Sequence, residues 1–279
     1  MKHLGAWTLN FIRLFFAVFF LSVALWIFNG TPFVANVGYN PWLWLGLSAI
    51  VGLSIGDLCY FKALHLLGPR LGLLIMSLAP PIAAIEGFLF LNEKMSIIAI
   101  CGMLLTVFGI GWVVTERKES GTPSRFKVST KGVLFGLAGT TCQATGLVLS
   151  KLGLRYVDAL PGTFIRMTTA VLVFALIVLL SGRWKTVINN LKNIKGLKFA
   201  FGGAFFGPFI GVTLSLVAAK YTQVGVAMTL LSTMPVTVLP YSILIYKEKL
   251  SPRAVLGAVL AVVGVALLCP DIVEKLIPH

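Results

Sequence analysis

The sequence predicts an all-α polytopic membrane protein, an inverted-repeat bundle of nine transmembrane helices, on three observations. Of 279 residues, 58% are hydrophobic and only 11% charged, too little polar surface to cover a water-soluble fold of this size. The apolar residues fall in continuous runs long enough to cross ~30 Å of hydrocarbon as helix, not in the alternating pattern of a β-barrel. Finally, the chain repeats its own motifs at a fixed offset.

Taken in order, the predicted spans are 9–28, 42–66, 71–91, 97–114, 133–152, 164–180, 199–218, 224–245 and 254–268. The first exceeds the length of a signal-peptide core and has no small-residue cleavage site before Gly30-Thr31-Pro32, so it is retained as a span. The second carries Gly52 and Gly56, the third Pro80 and Pro81, and the fourth Gly102 and Gly109. Residues 116–130 are charged and turn-rich and read as a linker. Beyond it, the fifth span carries Thr140, Thr141, Gln143, Thr145 and Lys151, and the sixth begins near Arg166. The seventh has Gly203, Gly207 and Gly211 four apart, which suits close packing of backbones, with Pro208 among them. The eighth contains Pro235 and Pro240, and the ninth contains Gly257 and Gly264. Cys59, Cys101, Cys142 and Cys269 form no CxxC pair and read as small packing residues.

A net charge of +14 suggests nucleic acid in a soluble protein, but here the 23 basic residues are sorted by side of the membrane. With the N-terminus inside, one face holds Lys2, Arg70, Arg117, Lys118, Arg125, Lys127, Lys131, Arg183, Lys185, Lys192, Lys195, Lys198, Lys247, Lys249 and Arg253. The other holds Lys94, Lys151, Arg155, Lys220 and Lys275, while Arg13, Lys62 and Arg166 lie within spans. The positive-inside rule makes the richer face cytoplasmic, which puts the N-terminus inside and, after nine spans, the C-terminus outside. The membrane expected is a prokaryotic inner membrane.

Internal repetition fixes the organisation. Phe11-Ile12-Arg13-Leu14 returns as Phe164-Ile165-Arg166-Met167, and Leu78-Ala79-Pro80 with Asn92-Glu93-Lys94 returns as Thr233-Met234-Pro235 with Lys247-Glu248-Lys249. Gly102 and Gly109 match Gly257 and Gly264 at the same offset of 155 as the Pro and Glu pairs. The first repeat, 1–115, has four helices; the second, 131–279, has five, because span 133–152 has no counterpart ahead of residue 9. A complete repeat of five spans is odd in number, so the two copies are expected to face opposite ways in the bilayer.

Order and doubling of these motifs resemble the EamA-type repeat of the drug/metabolite transporter superfamily. That resemblance implies an Arg in the second helix, here Arg13 and Arg166, and a Pro in the fourth, Pro80 and Pro235. It also implies a Glu closing the fourth helix, Glu93 and Glu248, a Gly in the fifth, Gly102 and Gly257, and a Lys in a repeat's first helix, Lys151. Family members usually have ten helices and this chain begins at the equivalent of the second, so either translation starts upstream or the chain is a nine-helix variant.

Ionisable side chains at bilayer depth cost about 2.5–3.5 kcal/mol on insertion scales and so face a partner or water. Asp57 is too deep and too short to reach the interface, whereas Lys62 either snorkels or pairs with Asp57. Glu86 is matched in the second half by Tyr241 and has no acidic counterpart, which suits a protonatable coupling group on one side of a symmetric cavity. Arg13 and Arg166 cannot deprotonate and suit the fixing of a carboxylate or of helix-end carbonyls. Pro80 and Pro235 interrupt helices at corresponding places in both halves, the best pointer to a midplane site. Gln143, Thr140, Thr145, Ser77, Ser232, Thr233 and Tyr241 supply polar groups near those depths, many of which bond back to their own helix.

There is no HExxH, GxSxG or Walker sequence, and His3, His65 and His279 are scattered, so neither an enzyme nor an ATP-driven pump is expected and no metal or cofactor is implied. The expected function is secondary transport of a small metabolite or amphipathic compound by alternating access. A non-transporting membrane scaffold, or a subunit of a larger assembly, is the alternative. The partners expected are the small-molecule substrate and the lipid bilayer, without nucleic acid; the sequence leaves the substrate, coupling ion and oligomeric state open.

Overall fold

Each apolar run becomes helix where it is described, because inside a bilayer only the helix satisfies every backbone N–H and C=O within one segment. A computed structural model describes residues 6–34, 37–116, 129–180, 182, 194–233 and 252–268, all helix, turn or short connection. In chain order the helices are α1 (Ala6–Asn29), α2 (Tyr39–Ser48), α3 (Asp57–Met76), α4 (Ala79–Leu91), α5 (Ile97–Glu116) and α6 (Thr130–Gly153). They continue as α7 (Ala159–Leu180), α8 (Ile194–Ala204), α9 (Val212–Tyr221), α10 (Val224–Ser232) and α11 (Pro252–Leu267). Two π-helical segments, π1 (Ala49–Gly56) and π2 (Phe205–Gly211), join α2 to α3 and α8 to α9.

Among the described residues, six helical stretches are long and apolar enough to cross a membrane: Phe11–Asn29, Tyr39–Gly68, Leu71–Leu91, Thr130–Gly153, Ala159–Leu180 and Gly196–Tyr221. Ile97–Trp112 and Val255–Leu267 are shorter apolar helices. The run predicted at 224–245 is helical as α10, and its remainder lies outside the described residues. Their outward faces are greasy: Phe199 is 81% exposed and Phe28 77%, intolerable against water and natural against lipid.

Local chemistry sets the ends. Gly30, at φ +75°, closes α1 by donating its N–H to Trp26 O at 3.0 Å, a conformation open to glycine. Gly68, at φ +81°, breaks α3 and starts the chain back toward Leu71. Ser96 and Ser129 cap α5 and α6, their Oγ atoms accepting from Ala99 N (3.1 Å) and Gly132 N (3.3 Å). The predicted interruption at Pro80 falls slightly earlier: a turn at Ser77–Leu78 ends α3, and Pro80 sits in the first turn of α4, where its missing N–H costs no helical bond.

The chain divides into two compact units, Met1–Ser54 with Leu149–Tyr221, and Ile55–Val148 with Thr222–His279. Each takes segments from both sequence repeats. In the first, α1 packs on α7, α8 and π2, while α2 and α9 pack on α7, around fully buried Leu21, Leu25, Leu45, Ile165, Met167 and Phe174.

In the second unit, α5 and α11 form the most extensive helix pair. A Cβ added to Gly102 would lie 2.7 Å from Gly264 O, and one added to Gly109 would lie 2.6 Å from Gly257 O and from Ala261 N. Only glycine allows these backbones so close. Between them Thr106 Oγ1 donates to Gly102 O at 2.8 Å and to Ala261 O at 3.4 Å. The contacts run in opposite order along the two helices, so α5 and α11 are antiparallel.

Candidate functional site

The two acidic residues predicted at depth, Asp57 and Glu86, are both held by α6. Gly139 lets α6 approach the junction of π1 and α3, where its added Cβ would lie 3.0 Å from Tyr60 N and 3.2 Å from Gly56 O. One turn further on, Gln143 Nε2 donates to Asp57 Oδ1 at 2.8 Å. From the same helix Thr145 Oγ1 hydrogen-bonds Glu86 Oε1 at 2.8 Å, and also Thr141 O at 2.9 Å. Glu86 Oε2 is buried with no hydrogen-bond partner among the described residues.

The Lys62 ammonium lies 4.3 Å from the centroid of the Phe135 ring on α6, a cation–π contact. A long flexible stem finds the aromatic face one turn beyond Asp57, and Gln143 takes the position facing the carboxylate.

Arg13, expected to fix a carboxylate or helix-end carbonyls, reaches a backbone carbonyl of α8. Its Nη2 donates to Gly203 O at 3.4 Å, across the surface of α8. The sequence reading of Gly203, Gly207 and Gly211 as a backbone-packing stripe changes accordingly, since the space above Gly207 is filled by that guanidinium, 2.6 Å from where a Cβ would stand. Arg166, its repeat mate on α7, is 4% exposed, and Lys151 is half-buried in the last turn of α6. Thr140 bonds Gly136 O on its own helix (2.8 Å) and reaches Ile75 O at 3.3 Å. Pro80 is buried in α4; Pro235, Tyr241 and Glu248 lie outside the described residues.

Glu93, just past the end of α4, reaches the start of α10. Asn92 closes α4 in the left-handed region at φ 56°, Glu93 N donates to Gly87 O at 3.1 Å, and beside this turn Val224 N donates to Glu93 Oε2 at 2.7 Å. A first-repeat carboxylate thus caps the amide end of α10, where the helix dipole favours it. Gln223 Nε2 adds a bond to Lys94 O at 2.9 Å. Glu93→Ala is expected to cost about 0.5–2 kcal/mol, the range of a lost cap, and to lower the thermal midpoint of the purified protein in detergent, with Glu93→Gln recovering part of it. No local pattern in the sequence encodes the α10 pairing, which joins residues 131 positions apart.

Apolar helices of membrane-spanning length, with carboxylates held within them by amide and hydroxyl donors, mark an integral membrane protein. The chain belongs to the EamA-like transporter family, which it matches over residues 1–115 and again over 130–269. A curated relative from Archaeoglobus fulgidus, described as an uncharacterized transporter, is 27% identical over 271 residues, spanning 96% of this chain and 89% of its own. A solved crystal structure of a protein shares the fold at TM-score 0.71 and 18% identity, covering 97% of this chain and 90% of the other.

Proposed function

We propose that this protein is a secondary transporter of small metabolites or amphipathic compounds, working by alternating access of two inverted repeats, with Glu86 as the proton-coupling carboxylate. The contact between α5 and α11 carries the repeat argument. Gly102 meets Gly264 and Gly109 meets Gly257, while the offset of 155 equates Gly102 with Gly257 and Gly109 with Gly264. Reciprocal contacts of this kind are those of a two-fold axis, here passing by Thr106 and Ala261, which are themselves 155 apart. Because the paired helices are antiparallel, that local symmetry supports an inverted repeat, nine crossings and rocking of one repeat against the other around a central cavity.

Arg13, Arg166, Lys151, Pro80, Pro235 and Tyr241 are assigned to the surroundings of the cavity, Asp57 with Gln143 to its polar wall, and Lys62 to the aromatic face of Phe135. No catalytic group is assigned, in keeping with the family. Purified protein reconstituted in sealed vesicles and screened against a panel of labelled amines, amino acids and sugars is expected to show saturable flux that responds to an imposed pH gradient. Absence of protein-dependent flux across the panel would favour a scaffold.

The cell membrane is the proposed location, with the N-terminus cytoplasmic and the C-terminus outside. A phosphatase fused after His279 is expected to be active and a green fluorescent protein there dark in a bacterial host. The opposite pattern would mean an even number of crossings.

A further inference from the structure

In the second compact unit, α3 and α6 run antiparallel along their contact. Gly132 meets Leu66 and Leu67, Gly139 meets Tyr60, and Gln143 meets Asp57, so positions on one helix fall as those on the other rise. The cation–π contact of Lys62 with Phe135 marks one flank of this seam. Cys142 lies seven residues beyond Phe135 on the same flank of α6, and Cys59 lies three residues before Lys62 on the same flank of α3. In antiparallel helices those two steps lead the same way. They bring both thiols to the level of the Gln143 amide and the Asp57 carboxylate, which are joined at 2.8 Å. Cys142 is also near enough to Cys59 and Glu86 to interact with each electrostatically.

Both thiols are free and half-buried, so neither is sealed into a core as a packing residue would be. No group of three or more His, Cys, Asp or Glu side chains is arranged to hold a metal among the described residues, which leaves a tetrahedral ion such as zinc short of ligands. Two thiols alone suit a soft ion that is content with two ligands in a line. Charge selects among such ions. A divalent ion that displaces two thiol protons leaves a neutral complex, whereas a monovalent one leaves an anion beside Asp57 and Glu86, which a membrane span disfavours.

We propose that Cys59 and Cys142 form a two-coordinate site for a thiophilic divalent cation of the mercury(II) class, which on binding staples α3 to α6. Each thiol gives its proton to water and its sulfur to the ion, so two metal–sulfur bonds form, two protons leave and no oxidation state changes. A linear sulfur–mercury–sulfur bridge holds its sulfurs more than twice as far apart as a disulfide does, which suits thiols on neighbouring flanks. The site rests on the contact of α3 with α6 and stands whether or not the protein transports.

Mercuric chloride titrated into the full-length protein in detergent tests it, in a Cys101→Ala, Cys269→Ala background that keeps only the two thiols in question. Native mass spectrometry is expected to count one mercury per chain, and that one ion to block both thiols against maleimide. Adding Cys59→Ala or Cys142→Ala is expected to weaken retention against a competing monothiol by about tenfold or more, because the second attachment is lost. Two ions per chain, or single-cysteine variants that hold mercury as firmly as the pair, would overturn the proposal. The unsubstituted chain gives a second reading that does not depend on the background folding. Digestion after loading is expected to release the Cys59 and Cys142 peptides joined through one mercury, and their recovery only as separate adducts would overturn the site as well.

Discussion

Alanine at Gly109 will cost the folded protein about 1–3 kcal/mol, the range for overpacking a tight contact, and will sharply reduce the yield of monodisperse material. Its methyl would stand 2.6 Å from Ala261 N and Gly257 O and 3.0 Å from Ala261 Cα, all backbone atoms that no rotamer change can move. Gly264→Ala is expected to behave likewise, facing Gly102 O at 2.6 Å and the Thr106 backbone N at 2.6 Å. Gly202→Ala is the counter-case. Nothing lies within 4 Å of its added methyl and it sits in α8, so the higher helix propensity of alanine should leave stability unchanged or slightly raised. Thermal unfolding in detergent, with size-exclusion profiles, measures all three. Equal midpoints for Gly109→Ala and Gly202→Ala would deny the close approach of α5 and α11.

The second large effect is on transport. Glu86→Gln retains the shape of the side chain and an oxygen for the Thr145 hydroxyl, so the protein should fold and insert as before. It can no longer gain or lose a proton, and flux in vesicles should cease to respond to an imposed pH gradient. The buried Oε2, with no donor among the described residues, is the reason for choosing this acid over Asp57, whose Oδ1 already receives the Gln143 amide. Retention of full pH dependence in Glu86→Gln would remove the coupling role and leave Glu86 as a partner of Thr145.

Hydropathy made most of the helices legible, because a run such as 71–91 or 133–152 has one way to satisfy its backbone in lipid. Repeat matching went further than secondary structure: Gly102, Gly109, Gly257 and Gly264 were singled out by spacing, and the first two meet the last two across α5 and α11. For Arg13 the sequence left a carboxylate and helix-end carbonyls open as partners, and nothing in it pointed to Gly203, 190 positions away. The pairings of Asp57 with Gln143 and of Glu86 with Thr145 were hidden, since each joins residues 86 and 59 positions apart and no local pattern encodes that separation. The π segments were hidden for a different reason: glycine four apart is equally the signature of close helix packing, and only the backbone path distinguishes the two uses.

Because α5 finds its main partner in α11, the order in which the chain leaves the ribosome governs when it can become a single object. Insertion of α5 in the membrane precedes the synthesis of α11 by most of the second repeat. Until then the glycine face at Gly102 and Gly109 must lie against lipid or a temporary neighbour. Thr106 meanwhile has the carbonyl of Gly102 on its own helix to bond, and gains Ala261 O when α11 arrives. α11 therefore acts as the clasp of the second compact unit, and a chain cut short before Pro252 would leave the glycine face of α5 without its main partner.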